Sequence, residues 1–375
     1  MFENLYHYSV GNKKTFYKVE AIMWANENNE QVNFNVPTWM EKLPIHVEPE
    51  ESLQELCRRS ALRIRQQYEY VRLWFSGGID STYMLEAFID NKIHIDEIIT
   101  VGSGIPESDW EIDKVATPYL KKLHSKIPNT KITVKKATMA EYKDWYSNDY
   151  FFENHKSIGK NEGYWSMRLG RKHQSIHLLD SPRGTVNVVA MDKPNIIFKN
   201  GEWYAFYMDT KYDNQLGDGN QSFHLFYDDD PLIFTKQCQL LKKAIMNYTS
   251  DENEWNKFCF SQDEKYQIIR NGCVRNNDGK FRKFILKTPI GIGEKEFEAE
   301  SYKESRALKF MATNYPEFYK KYLNGVDYLN SIGDGKWFNK GNAKLADVGI
   351  FAPFKSLDTN STKTVDELFP NGFKI

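Results

Sequence analysis

Hydrophobic and polar positions along the first half of the chain follow two alternating periods. Val71, Leu73 and Phe75 alternate along one stretch, with the large Trp74 among them, and predict a buried strand that stops at Gly77-Gly78. Asp80, Ser81 and Thr82 follow as good N-terminal helix residues, and Met84, Leu85, Phe88 and Ile89 continue as an apolar run. Upstream, Leu53, Leu56, Cys57, Leu62 and Ile64 form a helical stripe within Glu51–Tyr68, with Arg58, Arg59, Arg63 and Arg65 expected on a solvated face. Downstream, Asp96–Val101 predicts a second strand ending in Gly102-Ser103-Gly104, and Glu111–Lys126 a helix with Pro118 awkwardly inside it. Lys131–Lys136 reads as a third strand, Met139–Tyr146 and Ser166–Leu179 as helices, and Gly184–Ala190 as a further buried strand. This alternation is the signature of a parallel α/β sheet. Such sheets bind ligands at the carboxyl ends of their strands, where both glycine turns lie.

The flanks follow other patterns. Thr15–Trp24 and Gln31–Val36 are rich in aromatic and β-branched residues, and the polar link between them suits a hairpin, so residues 1–50 read as a small β-rich segment. Ile196–Met208 reads as two short strands around Asn200-Gly201, with Trp203, Tyr204, Phe206 and Tyr207 expected to pack the sheet. From Ile233 the pattern changes to helices with aromatic stripes, at Phe234–Tyr248, Ser301–Phe310 and Glu317–Leu323, while the stretch beyond Gly333 reads as loop. The expected division is an N-terminal segment 1–50, an α/β domain 51–232 and a mostly helical region 233–375.

Composition narrows the classes. The 41% hydrophobic and 15% aromatic fractions supply an ample core, and 50 basic against 51 acidic residues argue against general nucleic-acid binding. The 4 cysteines, Cys57, Cys238, Cys259 and Cys273, form no CxxC pair, so neither a zinc knuckle nor a disulfide framework is expected. No signal peptide is visible, and no apolar run approaches the ~18 residues that span a bilayer. The expectation is a soluble protein of the reducing cytoplasm with no membrane partner.

A strand, a glycine turn and a helix N-terminus form an anion site, because free amide N–H groups and the positive end of the helix dipole converge there. The chain has no GxxxxGK[ST] loop, no GxGxxG after a strand and no HExxH. What it has is Ser76-Gly77-Gly78-Ile79-Asp80-Ser81. This segment resembles the SGGxDS signature of the PP-loop superfamily of ATP pyrophosphatases, and it stands in that family's context, after a strand and before a helix. Within the superfamily the chain is most similar to the asparagine synthetase and β-lactam synthetase group. The helix leading into the motif strand, the apolar Ile79, the acidic loop Glu107–Asp113 and the helical C-terminal third carry that likeness, over roughly residues 51–200.

The resemblance implies a parallel-sheet, HUP-like α/β domain that splits ATP between the α- and β-phosphates. AMP passes to a carboxylate or carbonyl oxygen, and an amine or ammonia then displaces it. The implied nucleotide contacts are Phe75, Ser76, Gly77, Gly78, Asp80 and Ser81, with Val101 and Gly102 from the second strand end. Asp80 sits comfortably beside phosphates only with Mg²⁺ between them, which makes it a metal ligand. Asp192, in Ala190-Met191-Asp192-Lys193-Pro194, is the expected second ligand, although the glycines and further acids of the family's SGDGxDE segment are missing, and a turn aspartate is the alternative. Lys287 and Lys193, with Arg275 as a further choice, are the cations expected to help pyrophosphate leave.

Glutamine-dependent relatives carry Cys after the initiator Met within a glutaminase domain. Phe2 and the short prelude here point to ammonia or a substrate amine instead. Two other readings compete: a PP-loop enzyme that modifies tRNA or a nucleobase, and a catalytically silent nucleotide-binding module. His173 and His177 stand four apart, yet no further Cys or His accompanies them, so they read as ordinary histidines. Asp228, Asp229 and Asp230 read as a solvated turn before Pro231.

Overall fold

A computed structural model describes residues 6–15, 18–102, 104, 109, 111–138, 140–141, 182–190, 194–207, 222–227, 229–260, 312–317, 319–320 and 353–370. The first segment forms β1 (His7–Val10), β2 (Lys13–Thr15), α1 (Lys18–Asn28), β3 (Asn33–Asn35) and α2 (Thr38–Glu41). The three strands make an antiparallel sheet in the order β2-β1-β3.

The expected strand over Thr15–Trp24 is therefore mostly a helix. Aromatic and β-branched content suggested extension, but Ala21 and Ala25 stand four apart and are both buried, which is a helical period. The helix stops where Asn29 takes a φ of +53°, and Glu30 N–H reaches back to the Ala25 carbonyl at 3.0 Å. That six-to-one bond closes the helix end as a glycine would.

The chain then builds α3 (Leu53–Gln67), β4 (Tyr70–Trp74), α4 (Ile79–Ile89) and β5 (Glu97–Gly102). Next come a π-helical turn over Ile112–Ala116, α5 (Thr117–Leu123), a 3₁₀ turn over His124–Lys126 and β6 (Lys131–Lys136). β7 (Thr185–Val189), the hairpin β8 (Asn195–Lys199) and β9 (Glu202–Phe206), and β10 (Ser222–Leu225) follow. Ser52 caps α3 by accepting the Glu55 N–H at 3.1 Å. Pro118 is tolerated because it stands at the start of α5, just after the π turn, where Thr117 N–H already reaches back five residues to the Ile112 carbonyl.

Five strands form the central sheet in the order β10-β7-β4-β5-β6, and each neighbouring pair is parallel. The first strand in chain order thus lies in the middle, with the next two on one side and the last two on the other. The order reverses between β4 and β7, and the crevice there is the topological switch point at which doubly wound sheets bind ligands. Val71 and Leu73 of β4, Phe75 just after it, Ile98 of β5 and Val186 and Val188 of β7 share one core with Leu53, Leu56 and Ile64 of α3 and with Met84, Leu85 and Phe88 of α4. Ala116, Leu120 and Leu123 of the π–α5 segment complete it.

In the last third, α6 (Pro231–Tyr248), α7 (Glu252–Trp255) and α8 (Lys257–Phe260) are helical, and α6 packs on α3 and on β8. The predicted loop beyond Gly333 is in part structured. Within residues 353–370, β11 (Phe354–Ser356) and β12 (Thr362–Lys363) extend the hairpin into an antiparallel sheet ordered β12-β11-β9-β8. Phe354 is fully buried against Phe206 and Phe369, so side-chain burial rather than a long apolar run fixes this strand. Thr364 and Glu367 then form a reciprocal cap ahead of α9 (Val365–Leu368).

Candidate functional site

The glycine loop continues β4 into the switch-point crevice. Phe75 still belongs to the sheet: its N–H donates to the Ile99 carbonyl at 2.9 Å, and its own carbonyl accepts the Thr100 hydroxyl at 2.8 Å. The chain then turns through Gly77, whose φ of +88° an L side chain rarely adopts. A Cβ there would also stand 3.1 Å from Ala116 N and from Val115 Cγ1, so conformation and space both demand glycine. Gly78 is the N-cap of α4, and no side chain caps it. The first turn of an α-helix has no internal acceptors for its N–H groups, and here that turn opens directly from the loop.

Side chains within the motif hold its shape. Ser76 N–H donates to Ser81 Oγ at 3.3 Å, and Gly78 N–H donates to Ser76 Oγ at 3.2 Å. Ser81 Oγ and Thr82 Oγ1 both donate to the Gly78 carbonyl, at 3.1 and 2.9 Å. The two serines of the motif differ in exposure. Ser81 is 3% exposed and Ser76 is exposed, but both hydroxyls are engaged inside the loop, 3.1 Å from each other. Asp80 is half-buried on the first turn of α4, and its main-chain carbonyl accepts the Tyr227 hydroxyl at 2.8 Å, tying the end of β10 to this helix.

A second glycine turn ends β5, one strand away. Gly102 is buried, and a Cβ on it would meet the Asp109 carboxylate at 2.8 Å. Gly104 has a φ of +74°, and a Cβ there would fall 1.6 Å from the Ala137 carbonyl oxygen. Its N–H donates to Asp109 Oδ2 at 2.8 Å. Asp109 is 2% exposed, and Lys136, the last residue of β6, approaches it at 3.6 Å while pairing with Asp113 at 2.6 Å. The helix that begins at Glu111 places Glu111 Oε1 3.4 Å from where a Gly78 Cβ would be. Val101 and Gly102 end β5, the strand paired with β4, and both turns lie at carboxyl strand ends.

Asp109, Glu111, Tyr227 and the π turn were not predicted at the site. The signal for Asp109 and Glu111 was the acidic run after a glycine turn. Nothing in the sequence marked Tyr227. Asp192, Lys193, Lys287, Arg275, His173, His177 and Asp228 lie outside the described residues. β7, which leads toward Asp192, ends with Val189 in register with Trp74 at the end of β4.

Two other charged clusters have structural roles. The arginines of α3 are paired rather than merely solvated: Arg58 with Glu55, Arg59 with Glu51, Arg63 with Asp230 at 2.7 Å, and Arg65 with Asp96. Asp230 is not in a solvated turn. It is buried and caps α6, accepting the Leu232 and Ile233 N–H groups at 3.1 Å. A cavity of about 680 Å³ opens between α5 and β6, lined by Leu120, His124, Ile132 and Val134 among others, and it shares no residue with either glycine turn. No group of three metal-ligating side chains occurs among the described residues, nor does any helix among them reach the length and apolarity needed to cross a membrane. No protein-family profile matches the chain, and no curated protein matches it.

Proposed function

We propose that the protein is a PP-loop ATP pyrophosphatase, an AMP-forming enzyme that activates a carboxylate or carbonyl oxygen for attack by an amine or ammonia. One observation carries the reading: Ser76-Gly77-Gly78-Ile79-Asp80-Ser81 joins the middle strand of a parallel sheet to a helix N-terminus at the switch point of the strand order. In this reading the amides of the first turn of α4, with that of Gly77, hold the β- and γ-phosphates, which leave together. Ser76, which is exposed beside the loop, is a further proposed contact. The adenosine end is proposed to lie toward Val101 and Gly102, at the end of the neighbouring strand.

Asp80 fits a metal-ligand role on chemical grounds. A carboxylate one turn into an anion-binding helix end repels phosphate unless a cation lies between them. Asp80, with Asp192 as second ligand, would hold Mg²⁺, which supplies charge neutralisation at the phosphates. The acceptor oxygen bonds to the α-phosphorus as the bond to the α–β bridging oxygen breaks, and the electron pair leaves with pyrophosphate. Lys193 and Lys287 are the proposed cations for that leaving charge. The amine nitrogen then attacks the activated carbon and expels AMP.

The test is pyrophosphate release from ATP and Mg²⁺ in the presence of a protein-free metabolite pool. Asp80→Ala is expected to lower release at least about 100-fold. Release that is unchanged in Asp80→Ala sinks the proposal.

A further inference from the structure

We infer that Asp109 is a positioning residue that holds both glycine turns in one arrangement, through the π–α5 segment that follows it. This inference rests on the proposed nucleotide site and names a residue that shapes it without touching the phosphates.

Asp109 first fixes the second turn. Its Oδ2 accepts the Gly104 N–H at 2.8 Å and fills the space that a Gly102 side chain would take. A carboxylate that is 2% exposed needs compensation, which the Gly104 N–H and Lys136 provide. Lys136 also pairs with Asp113, so the end of β6 is clamped both to Asp109 and to the π turn.

The same residue starts the element that touches the first turn. The Asp109 carbonyl accepts the Asp113 N–H at 3.0 Å, opening the helical run. That run passes Glu111, beside Gly78, and enters the π turn, which brings Val115 and Ala116 to 3.1 Å from the space over Gly77. Tyr119, one turn later, stacks on Phe75 at 5.5 Å between ring centroids. The element that walls Gly77 is therefore anchored at its start by the carboxylate that shapes Gly102 and Gly104. Neither turn can shift alone without moving the Asp109–Tyr119 segment. In the fold this couples the proposed phosphate end of the site to the proposed adenosine end.

Asp109→Ala removes the acceptor, Asp109→Leu fills the same space without one, and Asp109→Asn keeps an acceptor oxygen. Amide hydrogen exchange of the free protein reads the coupling without any substrate. The expected result is exchange about tenfold faster at residues 76–80 and at 102–104 in Asp109→Ala and Asp109→Leu, with Asp109→Asn within about twofold of wild type. In turnover, KM for ATP rises about tenfold in the first two variants while kcat changes less, because positioning is lost and the reacting groups remain. Faster exchange at 102–104 with residues 76–80 unchanged overturns the inference, as does an equal effect of Asn and Leu. Should Asp109→Ala not fold, Asp109→Leu decides by the same exchange pattern. If wild-type protein releases no pyrophosphate, the nucleotide reading fails, and the exchange result still stands or falls by itself.

Discussion

The two faces of the central sheet are built from opposite chemistries. One face presents Val71, Leu73, Phe75, Ile98, Val186 and Val188 to α3, α4 and α5, and all six are at most 2% exposed. The other presents a row in direct register, Asn187–Arg72–Glu97–Lys131, across four strands. Arg72 pairs with Glu97 at 2.7 Å, and Glu97 also meets Thr133 at 2.5 Å, the Tyr70 hydroxyl at 3.1 Å and Lys131 at 3.2 Å. Trp74, beside this row, donates its indole N–H to Asn187 at 2.9 Å. Parallel strands are usually apolar on both faces. The difference separates two tasks. The apolar face supplies burial energy, and the polar face fixes register, because a slip of one residue would push Arg72 into the aliphatic core and Leu73 into the ionic row.

The largest expected effect lies on the apolar face. Phe88 is fully buried beside Phe226, and Phe88→Ala is expected to cost about 4 kcal/mol in urea denaturation through lost burial and a residual cavity. The polar face is expected to respond differently. Glu97→Ala removes the carboxylate that Arg72 pairs with and costs about 3 kcal/mol, whereas Arg72→Met combined with Glu97→Leu recovers most of that loss. If the double variant is as unstable as the single one, the row contributes net stability, and the division of tasks is wrong.

Acid titration reads the same pair. Burial alone would push the Glu97 carboxyl up, but the Thr133 hydroxyl, Arg72 and Lys131 outweigh it and hold the group below the ordinary value of 4.5. A depressed folded-state value gives stability that is complete above the unfolded value and lost as pH falls through the folded one. Stability should therefore decline below about pH 5 in wild type and decline less steeply in Glu97→Ala. Tyr70 is pushed to about 12 by burial and then by the Glu97 charge, so the row loses no proton from this phenol near neutral pH. The smallest effect is expected at the end of α3. Ser52→Ala removes one capping bond and costs about 1 kcal/mol by thermal melting, because the stripe of Leu53, Leu56 and Ile64 holds the helix regardless.

The same contrast explains what the sequence made legible. Where periodicity and burial agree, as in β4, α4 and the Asn200-Gly201 hairpin, the expected elements appear within a residue or two. Asn200 and Gly201 both take positive φ, as a tight hairpin of that composition requires. Arg72 and Glu97 were invisible as partners, since a charge within an apolar strand acquires meaning only once strand order brings its counter-charge alongside. α1 was misread because Val19, Ile22 and Trp24 suit a strand by composition, while the decisive spacing belonged to two small alanines. The glycine loop was legible because its φ, its space and its place after a strand leave few residue choices. Asp109 was not singled out, because its role depends on Gly104 and Lys136, which adjacent strand ends deliver.

The proposed function turns on whether ATP is split between its α- and β-phosphates at the Gly77 loop. The most direct measurement follows α-phosphate-labelled and γ-phosphate-labelled ATP with Mg²⁺ and the metabolite pool, and identifies the labelled products. A PP-loop ATP pyrophosphatase gives labelled AMP and labelled pyrophosphate in equal amounts, both lost in Gly77→Val. Labelled ADP with free phosphate, or turnover that survives Gly77→Val, would contradict the proposal.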